Sequence, residues 1–197
     1  MIAVVKYNAG NIFSVQCALQ RLGVESVLSD DKEVLLKADK VIFPGVGEAS
    51  SAMACLREKG LDEVIKSLTQ PTLGICIGLQ LMCRHSEEGN VDCLGIFDTP
   101  VKRFVSTDEC TLKIPEMGWN TIHVLRETPL VTNVLDGQFV YYVHSYYAQL
   151  CKDTVVSTDY INQFSAVLQR DNFFATQFHP EKSGPLGEQI LRNFLNI

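Results

Sequence analysis

The sequence predicts an α/β protein built on a doubly wound, mostly parallel central sheet, with antiparallel strands added in its C-terminal half. Two observations carry this prediction. In the first half, near-continuous apolar runs alternate with amphipathic helical patterns, the signature of strands buried on both faces and joined by crossover helices. In the second half the helical patterns give way to short strand-like segments in close succession.

Ile2 to Tyr7 reads as the first buried strand, and Ile12 to Leu22 repeats apolar residues at helical spacing (Ile12, Val15, Ala18, Leu19, Leu22). Val24 to Leu28 is strand-like. Asp30-Asp31 can start the short helix that follows, and Lys40 to Phe43 is a third strand running into the loop Pro44-Gly45-Val46-Gly47. Helices from about Glu48 to Lys59 and Leu61 to Leu68 lead to a strand at Pro71 to Ile75, and Leu79 to Cys83 reads as helical. Further strands are expected at Leu94 to Val105, Trp119 to Leu125, Phe139 to Tyr147, Thr154 to Thr158, Ser165 to Leu168 and Phe173 to Phe178. A helix from about Pro185 to Leu195 follows them. Ser86 to Asp92 and Ser106 to Pro115 are polar and read as loops.

A chain of 197 residues, 46% of them hydrophobic, suits one well-buried domain spanning 1–197. Seventeen basic residues against 23 acidic give a net charge of −6, which argues against binding nucleic acid or an anionic membrane. The N-terminal residues carry no basic region with a cleavage site, and no apolar run approaches the ~18 residues of a membrane span, so a cytoplasmic protein is expected. Seven cysteines with no CxxC pair fit neither a disulfide framework nor a zinc site. Cys17, Cys55, Cys83, Cys93, Cys110 and Cys151 read as reduced thiols in or near the core. The four histidines have no metal-ligand spacing, and no metal or cofactor is expected.

Cys76 differs from the other cysteines in its setting. It stands between Gly74 and Gly78, at the passage from a predicted strand to a predicted helix. Glycines two residues either side of a nucleophile allow that turn to be sharp, and a helix N-terminus favours the thiolate. Alone, a cysteine is more often a small buried apolar residue. Far away in the chain, His179 and Glu181 follow the strand at Phe173 to Phe178 and flank a proline. Residues i and i+2 of an extended segment face one side, so Glu181 can hold the imidazole in one tautomer while its other nitrogen faces a thiol. Cys76, His179 and Glu181 are therefore the candidate catalytic residues. The backbone N–H of Ile77 and the Gly45-Val46-Gly47 segment are candidate donors to an oxyanion, although such a loop can also be a plain strand-to-helix turn.

These segments resemble the class I (triad) glutamine amidotransferases: Gly74-Ile75-Cys76-Ile77-Gly78-Leu79-Gln80 together with Gln177-Phe178-His179-Pro180-Glu181. Tyr7 to Asn11, Pro44 to Gly47, Ser86 to Gly89, Met117-Gly118-Trp119-Asn120 and Val143 to Tyr147 narrow the resemblance to the glutaminase subunits of imidazole glycerol phosphate synthase, over nearly the whole chain. The resemblance implies a flavodoxin-like amidotransferase fold and hydrolysis of glutamine through a Cys76 thioester. It also implies that Gln80, Glu88 and the His144-Ser145-Tyr146 segment bind the amino-acid end of the substrate. Ammonia would pass to a (βα)8-barrel cyclase subunit, which makes imidazole glycerol phosphate and AICAR from PRFAR in histidine biosynthesis. Asn11, Glu116, Trp119, Tyr141 and Lys182 would face that partner.

Family members often read Pro-His-Met-Gly-Trp-Asn where this chain has Pro115-Glu116-Met117-Gly118-Trp119-Asn120, and leucine where it has Ile77. Three alternatives stay open on the sequence: a glutaminase feeding another amidating synthase, a stand-alone cysteine hydrolase acting on γ-glutamyl or peptide bonds, and a catalytically silent regulatory module.

Overall fold

The computed structural model describes residues 1–7, 12–45, 47–107 and 111–197, apart from the side chain of Asn133. The chain starts β1 (Ile2–Val5), α1 (Ile12–Arg21), β2 (Ser26–Ser29), α2 (Lys32–Lys37), β3 (Lys40–Phe43), α3 (Ala49–Glu58), α4 (Leu61–Ser67), β4 (Thr72–Ile75) and α5 (Ile77–Met82). It continues β5 (Cys83–Ser86), β6 (Val91–Asp92), β7 (Phe97–Arg103), β8 (Glu116–Thr121), β9 (His123–Val124), β10 (Phe139–His144) and β11 (Tyr146–Ala148). Strands β12 (Thr154–Asp159), β13 (Gln163–Arg170) and β14 (Phe173–Thr176) and helix α6 (Gly184–Asn196) complete it.

The main sheet has the order β2-β1-β3-β4-β14-β13-β12-β9. The first five strands are mutually parallel and the last three antiparallel, as the alternation of patterns in the two halves of the sequence predicts. Apolar runs with no polar face become strands buried on both sides. In β1, Ala3 and Val5 point into one core layer while Ile2 and Val4 point into the other, and in β3 Val41 and Phe43 oppose Ile42 in the same way. Helices α2 to α5 cover the first layer through Leu35, Met53, Leu56, Leu61, Ile65 and Leu79. Helices α1 and α6 cover the second through Val15, Leu19, Ile190, Leu191 and Phe194. Asp31 caps α2, accepting from the Glu33 N–H at 2.8 Å.

Four details differ from the sequence expectation. The segment read as a helix through Cys83 ends at Met82, and Cys83–Ser86 is a strand that pairs with Val91–Asp92, inside the stretch read as a polar loop. Gly89 and Asn90 turn that hairpin at φ 72° and 48°, which polar turn residues accept and a pattern of apolar residues does not reveal. The strand expected over Phe139 to Tyr147 is broken at Ser145, because β10 pairs with β8 while β11 pairs with β7 in a different sheet. The added strands thus divide. Only β13, β12 and β9 extend the main sheet, and β8–β10 and β6–β5–β7–β11 form two smaller sheets beside it.

The adjacency of β3, β4 and β14 positions the site. Their carboxyl ends lead, in order, into Pro44–Gly45, Cys76 and His179, so segments more than a hundred residues apart emerge side by side where α/β sheets bind ligands.

Candidate active site

Cys76 sits in the turn between β4 and α5 at φ 55° and ψ −108°, a conformation that non-glycine residues adopt only under constraint. The constraint is visible in its surroundings. Its N–H donates to Thr176 O at 2.7 Å, and its own carbonyl accepts from Leu79 and Gln80 at 3.0 and 3.3 Å as α5 begins. A Cβ on Gly74 would lie 2.9 Å from Met82 Sδ, and one on Gly78 would run into the carbonyl oxygen of Phe43. The glycine spacing is thus a packing requirement of the turn.

His179 is 1% exposed, and its Nδ1 lies 2.8 Å from Glu181 Oε1. Its Nε2 is buried, among the described residues without an oxygen or nitrogen partner, and Cys76 is its electrostatic neighbour. Burial opposes charge on this ring. The Cys76 sulfur beside it and the Glu181 carboxylate outweigh burial and raise the imidazole to about 10. Cys76 Sγ also lies 3.9 Å from Val143 O and 3.8 Å from Gln177 Nε2.

The thiol opens into a cavity of about 290 Å³, a size suited to a single amino acid. Of the sequence candidates, Gly47, Ile77, Gln80, Glu88, His144, Ser145 and Tyr146 line it with Cys76. Gly47 has φ 123°, open to glycine alone, and Gly45 is pressed between Ile77 and the hydroxyl of Tyr7. Gln80 is buried and donates to Tyr146 O at 2.9 Å and to Gln177 Oε1 at 3.2 Å. Glu88 is half-buried and accepts from the Ala49 N–H at the start of α3 at 2.9 Å. Burial pushes its carboxyl above the ordinary range, and that N–H offsets part of the rise. Val46 and Asn11 lie outside the described residues.

Sequence reasoning missed Pro115 and Val143 in the cavity wall, and two supports behind it. Tyr7 is buried, donates to Pro44 O at 2.8 Å and packs on Phe43 with ring centroids 5.2 Å apart, fixing the start of the glycine loop. Gln177 bridges Cys76 and Gln80, and its place two residues before His179 was the available clue.

The proposed outward-facing residues divide. Trp119 is 55% exposed, lies opposite Tyr141 in the β8–β10 ribbon with ring centroids 6.0 Å apart, and shares that face with exposed Met117 and Phe139. Lys182, in the turn that follows His179, is exposed as well. Glu116 requires a correction. It is 3% exposed, because its position alternates with Met117 and Trp119 onto the inner face of the ribbon, where it meets His144.

A turn-held thiol, a histidine-carboxylate pair and an amino-acid-sized cavity thus meet at one end of a flavodoxin-ordered sheet, in a fold of the amidotransferase type. Residues 5–197 match the family described as glutamine amidotransferase class-I, and the chain belongs to that family. Within it, the chain is 61% identical over 196 residues to imidazole glycerol phosphate synthase subunit HisH of Bacteroides fragilis strain YCH46, covering 100% of this chain and 99% of the relative. It is 44% identical over 197 residues to the HisH subunit of Yersinia pseudotuberculosis serotype I, with 100% and 99% covered. Among solved structures, a putative GMP synthase subunit from Thermoplasma acidophilum superposes with a TM-score of 0.76 at 21% identity, over 100% of this chain and 92% of that one. A second, a glutamine amidotransferase, gives 0.75 at 19%, over 99% and 97%. At that identity the two structures speak for the fold. Among the described residues no helix is long and apolar enough to cross a membrane.

Proposed function

We propose that this chain is the glutaminase subunit of an imidazole glycerol phosphate synthase, with Cys76 as nucleophile, His179 as acid and base, and Glu181 as its orienting carboxylate. The observation that carries the reading is the emergence of Cys76 and the His179–Glu181 pair from neighbouring parallel strands beside one amino-acid-sized cavity. The Cys76 thiolate attacks the side-chain amide carbon of glutamine, and His179 gives its proton to the departing ammonia. Water then attacks the glutamyl thioester with His179 as base, releasing glutamate and the free thiol.

The oxyanion formed in each attack is stabilised in this reading by the Ile77 N–H at the start of α5 and by the glycine loop that contains Gly45 and Gly47. Glu88, carrying a charge that burial disfavours, suits the substrate ammonium, with Gln80 beside it. The break at Ser145–Tyr146 offers backbone donors to the substrate carboxylate. No cofactor or metal enters this chemistry.

Ammonia released into water at neutral pH becomes a non-nucleophilic ammonium ion, so a subunit that uses it must take it directly. The partner in this reading is a (βα)8-barrel cyclase that converts PRFAR into imidazole glycerol phosphate and AICAR. It docks on the exposed aromatic face carrying Trp119 and Tyr141, with Lys182 near it. A cytoplasmic heterodimer fits this role.

The test is glutamate release from glutamine by the chain alone, with the cyclase from the same source, and with cyclase plus its nucleotide substrate. Low activity alone that rises strongly with both is the expected result. High activity alone with no response to the cyclase favours an independent hydrolase or another synthase.

A further inference from the structure

One buried ionisable pair beside the cavity has no part in the chemistry above. Glu116 on β8 and His144 on β10 stand directly opposite each other, their side chains 4% and 2% exposed. Glu116 Oε2 and His144 Nε2 are 3.0 Å apart, at ion-pair distance but off the line of a hydrogen bond, and among the described residues neither atom has another partner. The second oxygen of Glu116 accepts from Asn120 Nδ2 at 2.8 Å. The second ring nitrogen of His144 lies 2.7 Å from the carbonyl oxygen of Tyr146.

The proton count follows from these partners. A carbonyl oxygen only accepts, so Nδ1 carries a hydrogen. The ring's Nε2 stands 3.0 Å from a carboxylate oxygen, and Phe104, Tyr142 and Phe164 pack round the imidazole with ring centroids 5.1–5.4 Å away. Glu116 on one side and these rings on the others leave the imidazole little room to turn, so its Nδ1–H stays on the Tyr146 carbonyl. The phenol of Tyr142 does not supply a competing charge, because burial pushes it far up.

The pair acts at a break in the chain. Strand β10 ends at His144 and β11 begins at Tyr146 in another sheet, and Ser145 and Tyr146 line the cavity. Two donors converge on the Tyr146 carbonyl, His144 Nδ1 and Gln80 Nε2.

We propose that Glu116 and His144 are positioning residues for the amino-acid end of the glutamine site. Their contact holds the imidazole Nδ1–H on Tyr146, which fixes the orientation of the peptide units between residues 144 and 146. Neither side chain touches the reacting amide. The proposal rests on the glutaminase reading and assigns a structural reason to the acid at position 116.

The test has two parts. In nitrogen-15 spectra of the intact chain, with the His144 resonances identified by loss in His144→Asn, Nδ1 is expected to carry a proton. A bare Nδ1 with hydrogen on Nε2 overturns the proposal. In steady-state hydrolysis with the cyclase present, Glu116→Gln keeps the acceptor for Asn120 and offers an N–H to a neutral His144, so it serves as the uncharged background. Adding His144→Phe to it is expected to raise KM for glutamine about tenfold while kcat changes less than about threefold. Adding His144→Asn instead, which places an N–H where Nδ1 was, should recover most of that loss. An unchanged KM in the folded Phe variant, or an equal rise with Asn, overturns the proposal, since a purely structural role moves Tm alone. A wild-type protein that hydrolyses no glutamine under any condition instead refutes the glutaminase reading, and the spectra still judge the pair.

Discussion

The N–H of Cys76 donates to the carbonyl oxygen of Thr176 at 2.7 Å, tying the turn that carries the thiol to the strand that delivers His179. The bond closes the last rung of the parallel β4–β14 ladder, the one that pairs Ile75 with Thr176. Sheet register therefore places the proposed nucleophile and base side by side. Cys76 takes a positive φ in this turn, and that strain gives the first prediction. Cys76→Ala should abolish glutamine hydrolysis and leave the fold intact. Cys76→Gly, equally inactive, should be at least as stable as Cys76→Ala, because release of about 1–3 kcal/mol of backbone strain offsets the added entropy of the unfolded glycine chain. Urea denaturation of the two variants measures it, and a glycine variant clearly weaker than the alanine one would mean that Cys76 is unstrained.

Gly78 offers a test in which the sign decides. Inside an exposed helix, Gly→Ala stabilises by about 0.5–1 kcal/mol. Here the new Cβ meets the backbone carbonyl of Phe43, so α5 must shift off β3. Gly78→Ala should cost about 2–3 kcal/mol and lower kcat together with stability, since α5 carries both the Ile77 N–H and Gln80. A neutral or stabilising effect on the urea midpoint would show that the turn has room.

The parallel half of the sheet and the glycine-flanked turn at Cys76 were legible in the sequence for a shared physical reason. Strands buried on both faces must be apolar throughout, and a sharp strand-to-helix turn must have small residues around its nucleophile, so Val4, Ile42, Gly74 and Gly78 each record a local constraint. What was not legible depended on pairing between distant segments. Nothing near Ser145 announces that β10 and β11 join different sheets. Glu116 was expected at the partner surface on the family resemblance alone, and its alternation with Met117 and Trp119, opposite His144, turns it inward. Tyr7 and Gln177, which brace the site from behind, look in sequence like ordinary strand-end residues.

The charge on His179 predicts a pH dependence of stability. Its ordinary value is 6.5, and in the folded chain burial opposes the charge while Cys76 and Glu181 prevail and raise it to about 10. The folded state thus holds the proton more tightly than the unfolded chain. The resulting stability is complete below about pH 6.5 and is lost as pH rises through about 10. Cys76→Ala removes the largest of the raising influences, so its unfolding free energy should vary less over this window than that of the wild type. Parallel slopes for the two proteins in urea titrations between these limits would contradict the coupling.

Glu88 depends on pH in the same direction, starting from a lower ordinary value. Burial raises its carboxyl above the ordinary 4.5, so the folded state favours the protonated acid and loses stability as pH climbs through the raised value. Glu88→Gln should keep the Ala49 N–H bond, leave stability at neutral pH equal or slightly higher, and raise KM for glutamine by about ten- to a hundredfold through loss of a charge-assisted contact to the ammonium. A more stable protein with a higher KM is the combined signature, because a surface acid outside the site would move neither quantity in that way.

Tyr7 ties the first strand to the glycine loop through one hydroxyl. Tyr7→Phe removes the bond to Pro44 O while keeping the ring on Phe43, at a cost of about 1 kcal/mol. Because Gly45 is wedged between that hydroxyl and Ile77, the loop should gain freedom at the point where the oxyanion is proposed to bind. The expected result is a changed kcat with KM for glutamine close to wild type, since the amino-acid end of the cavity is built by Gln80, Glu88 and Tyr146 on other elements. A rise in KM at constant kcat would instead place the loop in ground-state binding, and would remove the reason for assigning Gly45 and Gly47 to the oxyanion.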